Sequence, residues 1–201
     1  MMDEPTLISQ ARKGDLTAFN RLILVYQDYA YNVAYRVMGE HAAAEDAVQD
    51  GMIKAYKNLT KFRGGSFKSW LLRIVTNTCY DELRRRKRRP TTPLEPLTDD
   101  DEIMENPRWL SDPSETPEEF AVRSELGRAI QDCLDGLSDE FRTVVVLVDI
   151  QGMDYAEAAD VAGTPLGTIK SRLARARSGL RDCLQGFGEL LPLSFRYETD
   201  G

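Results

Sequence analysis

Two stretches decide the fold of this chain: Asp154-Tyr155-Ala156-Glu157-Ala158-Ala159, and Gly163-Thr164-Pro165-Leu166-Gly167-Thr168-Ile169-Lys170-Ser171-Arg172-Leu173-Ala174-Arg175-Ala176-Arg177. Tyr155, Ala158, Ala159 and Val161 suit a short helix. Gly163 supplies a turn in which a positive φ favours glycine. Thr164 is placed to cap the next helix and Pro165 to open it. Leu166, Ile169, Leu173, Ala176 and Leu180 then recur at intervals of three and four, which defines one buried stripe. Thr168, Ser171, Arg172 and Arg175 share another stripe, flanked by Lys170, Arg177 and Arg181. Between Gly163 and Arg181 there are five basic residues and no acid. This is the grammar of a helix-turn-helix. A helix with an apolar back and a basic, hydroxyl-bearing front fits the major groove of DNA. Arginine there meets guanine through two N–H groups, while Lys, Ser and Thr hold phosphates or base edges. The plainer alternative is an amphipathic helix with a solvated charged face. The turn and the missing acids weigh against it.

Upstream, Thr116-Pro117-Glu118-Glu119 carries a cap, a proline at the first helical position and a capping-box glutamate, and predicts a helix to about Leu134. Ser138-Asp139-Glu140 starts another. That helix includes Val144-Val145-Val146-Leu147-Val148, a run whose β-branched residues favour a strand by propensity alone. The cap before it and the helices around it predict helix.

Before this lies a break. Pro90, Pro93, Pro96, Pro107, Pro113 and Pro117 alternate with an acid run, Asp99-Asp100-Asp101-Glu102. Proline fixes φ and donates no hydrogen bond, so an extended linker is expected. The first part of the chain reads as helices again. Leu16, Phe19, Leu22, Ile23, Tyr26, Ala30, Val33, Ala34 and Val37 form one apolar face, with Gly39 as the stop. A second helix is predicted from about Ala43 to Leu59, with Ala44, Ala47, Val48, Ile53 and Tyr56 inward. Glu45, Asp46, Gln49 and Asp50 lie on another face. After Phe62-Arg63-Gly64-Gly65, Ser66 caps a third long helix bearing Trp70, Leu71, Ile74 and Val75. It ends in Arg84-Arg85-Arg86-Lys87-Arg88-Arg89, cations that suit a helix C-terminus.

The expected fold is therefore all-α. Two small helical domains, 1–90 and 117–186, are joined by an extended acidic, Pro-rich linker, 91–116. The second domain contains the helix-turn-helix, and a tail, 187–201, follows it.

A net charge of −7 over 201 residues argues at first against nucleic acid. Its distribution reverses that. Residues 1–90 carry 16 Lys and Arg against 10 Asp and Glu, a net of +6, whereas 91–120 carry one Arg against 10 acids. Local clustering of positive charge, not the sum, governs DNA binding. Cys79, Cys133 and Cys183 form no CxxC pair and no metal-ligand spacing, and inert reduced thiols are expected. His41, the only histidine, is expected to be a surface or capping residue. No zinc site, catalytic triad or other cofactor is indicated. No run of the roughly 18 apolar residues that a membrane span needs is present in the sequence, so no leader, no membrane insertion and a cytoplasmic location are expected.

Gly167–Arg177, taken with Asp154–Ala159, closely resembles the promoter-reading domain of bacterial sigma factors of the extracytoplasmic-function class. Ala44–Asp50, Ala55-Tyr56, Phe62-Arg63, Ser69-Trp70-Leu71 and Ile74-Val75-Thr76-Asn77 resemble the second region of the same class. The likeness runs over about residues 6–185. It implies three partners: core RNA polymerase, promoter DNA and an anti-sigma factor. It implies that Glu45, Asp46, Gln49 and Asp50 dock on the polymerase, where acids suit a basic partner helix. It assigns Arg63, Ser66, Lys68, Trp70, Asn77, Arg84, Arg85 and Arg88 to capture of the melted minus-ten element. For Trp70 the favoured reading is a core tryptophan on the apolar face. It assigns Thr168, Lys170, Ser171, Arg172, Arg175 and Arg177 to the minus-thirty-five duplex. The acidic linker would thread into the polymerase channels, either mimicking nucleic acid or serving as a solvated spacer. A stand-alone helix-turn-helix regulator has no need of a second DNA-binding surface. A nucleic-acid enzyme would need clustered carboxylates, a P-loop or a nucleophile–base pair, and none is legible.

Overall fold

The computed structural model describes residues 3–88 and 117–190, with side chains in the second segment from residue 123 onward. The linker, Thr116, Arg89 and the tail beyond 190 lie outside the described residues. What is described is helical. In the first half α1 spans Glu4–Arg12, α2 Leu16–Met38, α3 His41–Asn58 and α4 Phe67–Arg88. In the second half α5 spans Pro117–Asp135, α6 Asp139–Val145, α7 Tyr155–Ala162 and α8 Leu166–Leu184. Among these residues no helix is long and apolar enough to cross a membrane.

In the first half α2, α3 and α4 pack on one another, and α1 lies along α2. The sequence reading missed α1. Only Leu7 and Ala11 of its residues are buried, too few to stand out as a stripe. Asp15 caps α2 by accepting from the N–H groups of Thr17 and Ala18. Gly39 ends α2 at φ 76°, a backbone conformation that favours glycine, and a Cβ there would meet the Asp135 carboxylate at 2.9 Å and displace it. The predicted stripe of α2 is buried except Leu16, which is exposed, and Tyr26, which is partly buried. In α3 the expectation for Ile53 fails. It is 46% exposed, because it follows Asp46 and Gln49 by seven and four residues and shares their face. His41 opens α3 with a packing role. Its ring stacks on Tyr35 at 4.3 Å, and its Nδ1 lies 2.6 Å from the Tyr31 hydroxyl.

In the second half α5, α6 and α7 pack around α8. The valine run is helical: α6 continues into one widened turn, Val146–Ile150, and Val144 to Leu147 are buried. Burial decides over strand propensity here. Asp154 caps α7 in a full capping box with Glu157, a signal the D-x-x-E spacing carries. Gly163 closes α7 at φ 61°, as expected. α8 starts one residue later than expected, with Pro165 rather than Thr164 at the cap. The Thr164 hydroxyl donates instead to the Ala162 carbonyl. Leu166, at the very start of α8, is exposed and does not join the buried stripe of Ile169, Leu173 and Ala176.

The expectation of three reduced thiols fails at two positions. Cys133 of α5 and Cys183 of α8 form a disulfide, and Cys79 alone is a free, buried thiol. A separation of 50 residues gives no sequence signal, and only the side-by-side packing of α5 and α8 brings the pair together.

The two halves touch. α7 lies on α4, and α2 meets α5 and α6. At the centre is Arg142 of α6, a buried guanidinium. It donates to the Val37 carbonyl at 2.7 Å and, with its other nitrogens, to Leu134, Asp135 and Leu137. Val37, Leu134 and Asp135 lie in the last turns of α2 and α5, where helices leave carbonyls short of partners, and Leu137 lies just beyond α5. Beside it Arg36 of α2 donates to Gln131 of α5 at 3.1 Å, and at the edge Lys87 of α4 reaches Asp139 of α6 at 2.7 Å.

Candidate nucleic-acid interface

Two basic surfaces are built on this frame. The first runs along α4. The loop before it turns through Gly64 and Gly65, leaving Arg63 exposed. Ser66 then accepts the Ser69 N–H at 3.1 Å, as an N-cap does. Lys68 lies over the ring of Tyr29 at 3.9 Å, which fixes its direction by cation–π attraction. Trp70 is half-buried between Phe62 and Phe67, at centroid distances of 5.3 and 5.5 Å. Asn77, Arg84 and Arg88 are exposed and recur at spacings that put them on one side of α4. Exposed Arg73 falls on the same side, four residues before Asn77, and extends the basic line. Sequence reading passed over it because it lies outside the Arg84–Arg89 run. Arg85 is turned aside. It holds Glu82 through two bonds of 2.7 and 2.9 Å, which keep that carboxyl below its usual pKa range.

The second surface is α8. The helix buries Ile169, Leu173 and Ala176 and presents Lys170, Ser171, Ala174 and Arg175 to solvent. Lys170 lies 6.0 Å from the centre of the Tyr155 ring. The arginines differ sharply. Arg172 is only 24% exposed and bonds Glu140 of α6 at 3.0 Å. Arg177 grips Asp149 with two bonds, of 3.0 and 2.5 Å, and its pKa is raised by that carboxylate. Arg175 is exposed and makes no hydrogen bond or ion pair among the described residues. Thr168 is half-buried, and its carbonyl accepts from Ser171 at 3.0 Å. Of the six expected duplex readers, Lys170, Ser171 and Arg175 thus point outward unpaired by any acid among the described residues. Arg172 and Arg177 are engaged within the second half.

A third surface carries the opposite sign. Glu45, Asp46, Gln49 and Asp50 are all exposed on one face of α3, with Ile53 among them. An apolar residue ringed by acids and an amide suits a basic partner that also offers an apolar side chain.

Comparison with known proteins agrees with this layout. The family model for Sigma-70 region 2 matches residues 22–89, and that for Sigma-70 region 4 matches residues 127–180. The RNA polymerase sigma-H factor of Pseudomonas aeruginosa is 34% identical over 180 residues, covering 89% of this chain and 92% of that one. The ECF RNA polymerase sigma factor SigW of Bacillus subtilis is 34% identical over 179 residues, covering 89% and 95%. Among solved structures, the sigma factor RpoE bound to the anti-sigma factor NepR from Bartonella quintana superposes with a TM-score of 0.62 at 25% identity. It covers 84% of this chain and 98% of that one. Similarity of this extent, reaching both basic surfaces, places the chain in the extracytoplasmic-function class of sigma-70 RNA polymerase sigma factors.

Proposed function

We propose that this chain directs core RNA polymerase to promoters by binding DNA at two places and carries out no chemistry itself. The observation that supports it most is the pair of separate basic surfaces, on α4 and on α8, each within a matched sigma-70 region. The first domain, 1–90, takes the minus-ten element as melted strand through Arg63, Ser66, Lys68, Asn77, Arg84 and Arg88, with Arg73 added to that line. Trp70 braces the loop from within. The second domain, 117–186, takes the minus-thirty-five duplex through Lys170, Ser171 and Arg175. Arg172 and Arg177 hold α8 in place. The acidic face of α3 docks on polymerase. An anti-sigma factor is a fitting regulator, given that RpoE of Bartonella quintana is solved with one.

The packing of the halves bears on mechanism. A compact body of the size described is roughly 40 Å across. Promoter elements about 25 base pairs apart are separated by roughly 85 Å of duplex. The compact form cannot reach both, so the halves must part on the polymerase. The 28 residues 89–116 have a covalent reach of roughly 90–100 Å, enough for that separation. Tethering then makes two weak contacts into one specific one.

Run-off transcription with bacterial core polymerase and a pool of promoters tests the reading. Starts at defined sites only when the chain is added are expected. Unchanged initiation, with the chain alone shifting duplex DNA in a gel, would replace it with a stand-alone regulator.

A further inference from the structure

Cys133 and Cys183 are joined across a Cα–Cα distance of 5.7 Å. Cys133 lies near the end of α5 and is buried, whereas Cys183 lies in the last turn of α8 and is half-buried. The third cysteine behaves differently. Cys79 is fully buried on α4, and burial pushes its thiol up to about 12, so it stays protonated and unreactive. One inert thiol is thus set apart from one bonded pair.

The position of the pair gives it leverage. α8 carries the outward Lys170, Ser171 and Arg175. α5 carries Gln131, which receives Arg36 of α2, and the Leu134 and Asp135 carbonyls that share the Arg142 fork with Val37 of α2. Cys133 stands between Gln131 and Leu134. The bond therefore ties the recognition helix to the helix that docks the second half on the first. Polymerase and DNA meet in a compartment whose reductants hold most dithiols open, and disulfides that form there are mostly transient or sensory.

We propose that Cys133 and Cys183 are a reversible thiol–disulfide site, which sets how firmly α8 is anchored to α5 and, through α5, how firmly the two halves are held together. The oxidant is a small-molecule disulfide of the glutathione type. Cys183 is the more exposed and reacts first. As thiolate it attacks one sulfur of the small disulfide, and the other sulfur leaves as a small thiolate. Cys133 then attacks the Cys183 sulfur, forms the protein disulfide and expels the second small thiolate. The pair loses two protons and two electrons, and one small disulfide becomes two small thiols. A dithiol reductant reverses the sequence. Closing a long loop disfavours the unfolded chain, so the oxidised form is the more stable.

The full chain is equilibrated across ratios of reduced to oxidised glutathione, quenched in acid, alkylated and weighed. Cys133 and Cys183 are expected to close and open together, while Cys79 reacts only after denaturation. The two end forms are then melted and followed by hydrogen exchange. The oxidised form should melt about 5–10 °C higher. It should also exchange several-fold more slowly in α5 and in the last turn of α2. Cys183→Ser should match reduced wild type whatever the glutathione ratio. Three results overturn the proposal: a pair that never closes in the folded chain, a pair that opens only on unfolding, or two end forms with equal melting and exchange. None of these readouts needs polymerase, so they stand or fall apart from the sigma-factor reading.

Discussion

Arg172 and Arg175 sit three residues apart on one helix and do different work. Arg175 is exposed and unpaired among the described residues, while Arg172 leans on Glu140 and Thr164. Arg175→Ala should weaken promoter binding by the holoenzyme by about 1–3 kcal/mol if the side chain reads a base. Its melting temperature should not change. Fluorescence anisotropy with a promoter duplex measures the first, and an unchanged affinity would remove Arg175 from the interface. Arg172→Ala should instead cost stability, by about 1 kcal/mol or less, because the pair it loses is partly solvated. The sequence makes the arginines legible as a basic stripe. It does not tell which are already spoken for, because Glu140 and Asp149 lie 32 and 28 residues away from their partners. Cys79 gives a pH dependence at the same scale. Its folded pKa is raised to about 12 by burial, whereas an unfolded thiol ionises near ~8.5. Below the unfolded value it has no effect. As pH rises above that value the unfolded chain ionises first, so stability should fall from pH ~8.5 toward ~12. Comparing the pH dependence of denaturant melts for wild type and Cys79→Ala, across alkaline pH, checks the sign. A steeper alkaline loss in the variant would refute it.

Elements with local signals were the easiest to read from sequence. Gly163 and the three-and-four spacing of Ile169, Leu173 and Ala176 announce α7 and α8 within thirty residues, and the helix-turn-helix stands where they place it. The capping box of α7 is the strongest local device in it. Asp154→Ala removes the acceptor for two backbone N–H groups and should cost about 1 kcal/mol, read as a lower melting temperature with wild-type helix content at low temperature. Where periodicity is weak, tertiary burial decides and the sequence is mute. α1 offers two buried residues in nine. Ile53 precedes Tyr56 by three residues and is apolar enough to pass for core, yet it lies on the opposite side of α3 from Ala44 and faces solvent among acids. The valine run carries strand propensity and is helix because its neighbours bury it.

At the scale of the molecule, the contact between the halves was invisible in the sequence, because no motif marks it. Arg142 carries it. Arg142→Met should destabilise the chain by about 2–4 kcal/mol, since it leaves buried carbonyls of two helices without donors. The hydrodynamic radius should rise as the halves part. Lys87→Ala, which removes an ion pair at the edge, should cost less than about 1 kcal/mol and leave the radius unchanged. Equal losses for the two variants would show that Arg142 is not the centre of the contact. The acceptors of Arg142 have a further consequence. Its four hydrogen-bond acceptors are main-chain oxygens, beside an ion pair with the Asp135 carboxylate of its own half at 3.1 Å, and main-chain oxygens are the same whatever side chains surround them. At this point the first half can drift in sequence without losing its bond to Arg142, provided α2 keeps its length and stops at Gly39, whereas Arg36 and Lys87 reach the second half through their side chains. A chimaera that joins this second half to the first half of a relative should therefore keep the Arg142 bond wherever α2 keeps its length, and a change in the length of α2 would break it.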